Sequence, residues 1–436
     1  MRDAAAPHPV TVGPTPGSVV SPSAHRADEA GGGAGGPVRR LMGARDSTEA
    51  HRGVTPLELL VDLCFVVAVA QAAASLRTAG LDGRIVAGLP GFLVLFFLIW
   101  WGWVSFAWFA SAYDTDDVPF RLLTLVHIAG VLVLASGIPG AVVDHDLVTV
   151  AVGYVIMRLA MVAHWVRAAL EHRDGRAAAG RYAVGITASQ LALLPVLLLG
   201  SPWFWTGWGV LIVAELAIPV WAESRGTRTS WHPGHITERY GLFTLIVLGQ
   251  CVAAATLALH AAVTDQGVSG SLLLLAGGAL LLVFGLWWSY FDFQDTVTPA
   301  LGHSQRSALI WAYSHYGVYA ATAALGAGLE VAATTLKHGS TVSTATAAFL
   351  VAVPVAGYLL IVGRLHTHLS PDGAHRPGLA GVAATAVLLS AASVALVPLA
   401  VAVAAMGLCV AGPLAAALLT AHRQARPVQP PVRGES

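Results

Sequence analysis

Two carboxylates, Glu58 and Asp62, stand four residues apart inside the first long apolar run of the chain, residues 55–71. On a helix they project from one face. An ionised group inside a bilayer costs about 2.5–3.5 kcal/mol on insertion scales. That face must therefore meet protein, water or a cation. The functional reading is a proton- or cation-binding pair in an interior cavity. The structural alternative puts Glu58 in the first helical turn, where a negative charge suits the helix N-terminus, and pairs Asp62 with an arginine. Arg158 lies in the middle of another apolar run. Its guanidinium stays protonated and needs a carboxylate, with Asp62, Glu58 and Glu215 as candidates. The expectation is contact with Asp62 or Glu58.

His127 and His315 lie in two further apolar runs. An imidazole titrates near pH 6.5, which suits a proton relay; the alternative for each is a bond to a nearby carbonyl. A second run with embedded charge begins at His235 and holds Glu238, Arg239 and Gln250. Glu238 sits at a helix start beside Arg239, where capping explains it equally well. Asp292 follows a later run. The sharpest expectation is one polar cavity lined by Glu58, Asp62, His127, Glu238 and His315, with Asp62 as the main coupling carboxylate. No metal site and no cofactor are expected. Pro233 and Gly234 break any helix between His232 and His235, and there is no phosphate loop or nucleophile elbow.

These residues need apolar elements to hold them. The 436 residues are 56% hydrophobic and 11% charged, with mean hydropathy +0.68; soluble domains are about 25% charged. The chain is therefore an all-α polytopic membrane protein. Its formal net charge of zero gives no ground for nucleic-acid binding. Cys64, Cys251 and Cys409 all fall in apolar runs and form no disulfide framework. A membrane helix needs about 20 apolar residues. Twelve segments qualify, near 56–76, 90–110, 121–139, 147–167, 182–200, 203–222, 237–260, 270–291, 307–329, 343–363, 378–397 and 399–420. The last two meet at Pro398 without a polar loop, so eleven spans remain an alternative.

Residues 1–52 are rich in Ala, Gly, Pro and Ser and read as a disordered tail, and residues 422–436 as a short one. With twelve spans and the N-terminus inside, about 20 Arg side chains fall in inner segments. Only Arg77, Arg84 and Lys337 fall in outer ones. That asymmetry is the positive-inside pattern and predicts a plasma-membrane protein with both termini cytoplasmic.

The chain also echoes itself, which divides it into six-helix halves at 53–222 and 223–421. Glu58 to Gln71 is echoed by Glu238 to Gln250, and Trp100-Trp101 by Trp287-Trp288. Asp114, Asp116 and Asp117 are echoed by Asp292 and Asp295, His127 by His315, and Gly153-Tyr154 by Gly357-Tyr358. An even number of spans per half makes this a parallel 6+6 repeat, an arrangement found in transporters with the site between halves. Glycines near 317, 326 and 328 read as helix-packing positions.

The run Glu238-Arg239-Tyr240-Gly241-Leu242-Phe243-Thr244-Leu245-Ile246-Val247-Leu248-Gly249 resembles the low temperature requirement A family of bacterial membrane proteins. Thr55-Pro56-Leu57-Glu58-Leu59 with Asp62 and Phe65 fits it too. So do Trp287-Trp288 with Tyr290-Phe291-Asp292, and His315 with Gly317. The family pattern has Glu after that Leu-Gly, where this chain has the non-titrating Gln250. The family name records a growth phenotype in the cold and implies no substrate. The leading expectation is a proton-coupled transporter or permease for an unidentified small-molecule or lipid-soluble substrate, with the lipid bilayer as its other partner. The alternatives are a non-catalytic protein of cold or envelope adaptation, and an integral membrane enzyme.

Overall fold

The computed structural model describes residues 38–45, 49, 52–113, 115–143, 146–200, 202–226, 228–292, 294–336, 341–369 and 377–424. Asp114, Lys337 and most of the two expected tails lie outside them. The described elements are all helical: α1 (Pro56–Leu81), α2 (Ile85–Tyr113), α3 (Val118–Val143), α4 (Val148–Glu171), α5 (Arg176–Leu197), α6 (Trp203–Ala222), α7 (Pro233–Gln266), α8 (Gly270–Phe291), α9 (Gln294–His303), α10 (Gln305–Thr335), α11 (Thr344–Leu369), α12 (Pro377–Ala392) and α13 (Leu399–Gln424). A 3-10 turn, Ser393–Ala395, joins the last two.

Among the described residues nine helices are long and apolar enough to cross a membrane: α1–α4, α6–α8, α11 and α12. Each of the twelve expected segments falls on a helix, but α5, α10 and α13 stand outside that set. For α10 there is a physical reason. His315, Tyr319, Thr322 and a long row of its alanines are buried among other helices. A helix shielded from lipid does not need a fully apolar surface. Outward faces elsewhere carry exposed leucines such as Leu63, Leu122, Leu125, Leu159 and Leu257, as lipid contact demands.

The helix boundaries follow from local chemistry. Thr55 caps α1: its hydroxyl accepts from the Glu58 N–H at 3.3 Å, and the Glu58 carboxylate accepts from the Thr55 N–H at 2.9 Å. Pro56 fits the first turn, whose N–H groups lack intrahelical partners. α7 opens in the same way, with the His232 ring accepting from the His235 N–H at 3.1 Å and Pro233 at the start. Gly267, at φ 76°, ends α7 in a backbone conformation open to glycine.

α3 packs on α1 and α4, and α5 lies between α4 and α6. In the same order, α10 packs on α7 and α11, and α12 lies between α11 and α13. α2 departs from that order. It touches α1, α3 and α4 and also α7 and α10, which buries Trp100, Trp101 and Trp103. The α3–α4 contact is close because it is lined with glycine. A Cβ on Gly130 would lie 2.7 Å from the Met157 backbone nitrogen, and one on Gly137 2.7 Å from that of Val150. The packing role read for Gly317, Gly326 and Gly328 is realised against Ile361, Cys251 and the Leu350 carbonyl.

Residues 38–45 and Arg52, expected in a loose tail, lie instead across the end of the bundle where α1 and α7 begin. Met42 is buried and its N–H donates to Glu171 at 2.7 Å. The Arg52 guanidinium donates to the carbonyls of Ser111 and, at 2.8 Å, Ala110. These are among the last carbonyls of α2, which have no partner within the helix.

Candidate functional site

The buried polar side chains form separate centres. The first joins α1 to α7. Arg239 donates to Asp62 through one terminal nitrogen, and its other lies 3.5 Å from Glu58. His235 Nε2 is 3.2 Å from Glu58. The Trp103 indole N–H from α2 donates to Asp62 at 2.7 Å. Asp62 Oδ2, Arg239 Nε and His235 Nδ1 are buried without a hydrogen-bond partner among the described residues. The common design of the two helix starts produces this centre. Glu58 and Asp62 stand three and seven residues after the cap Thr55, and His235 and Arg239 three and seven after the cap His232. Two like frames thus present acids on one side and bases on the other. This register matches Glu58 to His235, three residues away from the sequence echo that matched it to Glu238.

The second centre lies between α4 and α6. Arg158 donates to Glu215 at 2.6 Å and to the Ser105 hydroxyl at 2.7 Å. Glu215 also accepts from the Trp101 indole at 2.8 Å, Ser189 at 2.7 Å, Gln190 at 3.2 Å and Tyr154 at 3.4 Å. Five donors around one carboxylate satisfy a buried charge that would otherwise be expensive. Arg158 therefore meets neither Asp62 nor Glu58, which are engaged by Arg239. Its partner is Glu215.

The expected single cavity is divided. His127 bonds the Met157 carbonyl at 3.3 Å and stacks 5.3 Å from Phe106. His315 bonds the Trp311 carbonyl at 2.7 Å and the Tyr290 hydroxyl at 2.8 Å. Both follow the carbonyl alternative. Glu238 and Gln250 are half-buried and join neither centre, and Asp292 is exposed at the end of α8. Sequence reasoning read Trp101 and Tyr154 as echoes of the repeat rather than partners of a carboxylate, and passed over Trp103, Ser189 and Gln190. It also set His235 aside as a weak metal candidate. Polar side chains at interior positions of apolar runs were the available signal.

Two clefts approach the second centre from opposite ends of the same helices. The first opens where α2, α4 and α6 end and α5 and α10 begin. It encloses about 760 Å³ including its mouth, and Trp101, Ser105 and Arg158 form its floor. The other, of about 1590 Å³ including its mouth, opens where α2, α4 and α6 begin and reaches Tyr154 and Trp208. A narrow pocket, about 250 Å³ including its mouth and lined by Tyr154, Ser189, Gln190 and Glu215, lies between. The Arg158–Glu215 network is the partition.

At the first end, outside the spans, Asp117 is buried and accepts from Arg167 at 2.6 and 2.8 Å. Burial works against its charge. The Arg167 bonds and those from the Arg40 and Phe120 N–H groups outweigh it and hold the carboxyl at a pKa of about 2.

A bundle of apolar helices, nine of them among the described residues long and apolar enough to cross a membrane, with charge pairs buried between them, defines a multi-pass helical membrane protein. Its family is shown by a match over residues 53–421 to the family model described as bacterial low temperature requirement A protein, LtrA; the chain belongs to that family. A search of the curated proteins finds no match.

Proposed function

We propose that this LtrA-family protein is a proton-coupled carrier of twelve spans in two parallel six-helix halves. The observation that carries the reading is the pair of clefts that reach one charged partition from opposite ends of the bundle. A carrier needs a site approachable from either side and a barrier that is satisfied while closed. The Arg158–Glu215 network has that form, and a substrate offering charge or hydrogen bonds to Arg158 or Glu215 would compete for it. The halves are supported by the repeated packing order and by the matching starts of α1 and α7.

In this reading Asp62 is the proton acceptor. Protonation would remove the charge that holds Arg239 and so weaken the link between α1 and α7. A proton thereby shifts the balance between two arrangements of the halves, by as much as its affinity for Asp62 differs between them. The site is in the plasma membrane with both termini cytoplasmic, as the arginine distribution favours.

The test compares metabolite and lipid profiles of a deletion strain carrying the wild-type gene, the Asp62→Asn gene or no gene, grown between pH 5.5 and 8. The wild type should restore the level of at least one compound in a pH-dependent way, and Asp62→Asn should insert and fold but lose that dependence. Identical profiles with and without the gene would remove the carrier reading. Equal complementation by Asp62→Asn at every pH would remove the coupling role.

A further inference from the structure

The cleft that ends on Arg158 has walls that the partition alone does not require. Three aromatic pairs form them. Trp165 stacks on Tyr182 at 4.1 Å and 8°, Trp108 lies 4.8 Å from Trp231, and Trp101 meets Tyr313 edge-on at 5.7 Å. All six side chains line the same cleft. The Glu223 carboxylate lines it too, and the residue is only 8% exposed. Glu223 accepts from the Tyr182 hydroxyl at 3.1 Å, the Thr229 hydroxyl at 2.7 Å and the Thr229 N–H at 3.0 Å. All three donors are neutral, and among the described residues Glu223 forms no ion pair. The positive charge on the floor belongs to Arg158, which Glu215 already matches at 2.6 Å.

Among the described residues the Glu223 carboxylate takes only neutral donors, and the Arg181 guanidinium bonds the carbonyls of Ala222 and Arg225 on either side of it rather than the carboxylate itself, so the cleft keeps an acidic group that can face a cation. A ring face turned to the cleft would add to this, because its quadrupole presents negative charge. A cage of several such faces is a known solution for binding alkylated ammonium groups, which are too poorly hydrated to prefer water strongly. A small inorganic cation would instead require several oxygen ligands arranged around it, whereas the walls are mostly ring carbon and the Tyr182 and Tyr313 hydroxyls are bonded to Glu223 and the Leu216 carbonyl.

We propose that this cleft binds an organic cation of the alkylated-ammonium class, with the cation against Trp108, Trp165 and Glu223. The proposal rests on the carrier reading in that it gives the class of compound carried, but binding can be measured without transport. The ammonium group can come from a free amine or from a choline lipid headgroup, and the experiment separates the two.

Full-length protein is placed in nanodiscs of phosphatidylglycerol, and benzyltrimethylammonium is titrated while tryptophan fluorescence and binding heat are followed. Saturable binding is expected. The uncharged isostere neopentylbenzene should bind at least about tenfold more weakly, since it lacks the cation–π and carboxylate attraction. Glu223→Gln, which keeps the size of the side chain, should weaken the ammonium compound by about tenfold and leave the isostere unchanged. A repeat in phosphatidylcholine discs gives the source. Once the weaker accumulation of the cation on an uncharged surface is corrected for, unaltered affinity there means a free amine is the ligand, and a further loss by competition means the lipid headgroup occupies the cleft. Equal binding of the ammonium compound and its isostere to the wild type would overturn the proposal, and needs no variant to fold. So would an unchanged affinity in folded Glu223→Gln, or no saturable binding in either lipid. None of these results bears on whether the protein exchanges some other compound for protons.

Discussion

Replacing Arg158 tests the central partition most directly. In Arg158→Met, Glu215 keeps its bonds from Trp101, Ser189, Gln190 and Tyr154 but loses the one cation set against it among the described residues, at 2.6 Å. Breaking a buried pair by removing one partner costs about 3–5 kcal/mol. The remaining four neutral donors place the expected loss at the lower end, about 3 kcal/mol. Glu215→Leu strands the guanidinium, which among the described residues keeps the bond to Ser105 alone, and should cost nearer 5 kcal/mol. The double variant Arg158→Met/Glu215→Leu leaves no unpaired charge and should recover at least about 2 kcal/mol of the summed loss. The assay is reversible unfolding in mixed micelles, read by tryptophan fluorescence, on the four members of the cycle. Arg158→Met combined with Asp62→Asn serves as the control, because Asp62 belongs to the Arg239 centre, and its losses should add. Additive losses for Arg158 and Glu215, or coupling between Arg158 and Asp62, would refute the assignment of partners.

Gly153 sits where a side chain would enter the α3 backbone around Leu134; Gly153→Leu should abolish a monodisperse folded peak in size-exclusion chromatography, whereas Gly140→Leu, with open space around it, should not. Arg52→Ala removes two bonds to the last turn of α2, worth roughly 1.5–3 kcal/mol each for a charged donor. Amide exchange at residues 110–113 should speed up while that of α8 stays unchanged. The lowered Asp117 pKa means that its contribution to stability is full above the ordinary carboxylate range near 4 and is lost as pH falls through about 2. Between pH 5 and 2 the wild type should therefore lose melting temperature more steeply than Asp117→Asn; parallel curves would show that Arg167 does not hold this charge.

Much of the architecture was legible in the chain because it depends on local chemistry. Apolar runs of about 20 residues can satisfy their backbone in a bilayer only as helices, and each expected segment falls on one. Thr55-Pro56 with Glu58 is a capping box that marks the start of α1 to the residue. The long run at Glu238 to Gly249 was sufficient to point to the family that the match over residues 53–421 establishes.

The sequence also showed which residues had to be paired, since four-residue spacing puts Glu58 and Asp62 on one face and an arginine in an apolar run cannot stay alone. It did not determine the partners. Asp62 and Arg239 are 177 residues apart, and Arg158 and Glu215 57. Periodicity specifies the face of a helix but not the helix that covers it. The tertiary structure decided that α1 lies on α7, which gives Asp62 to Arg239, and that α6 brings Glu215 and α5 brings Ser189 and Gln190 to Arg158. It likewise assembled the aromatic cleft from five helices and the approach to α7. No local rule relates those elements, because aromatic and charged side chains find one another only after the apolar surfaces have packed.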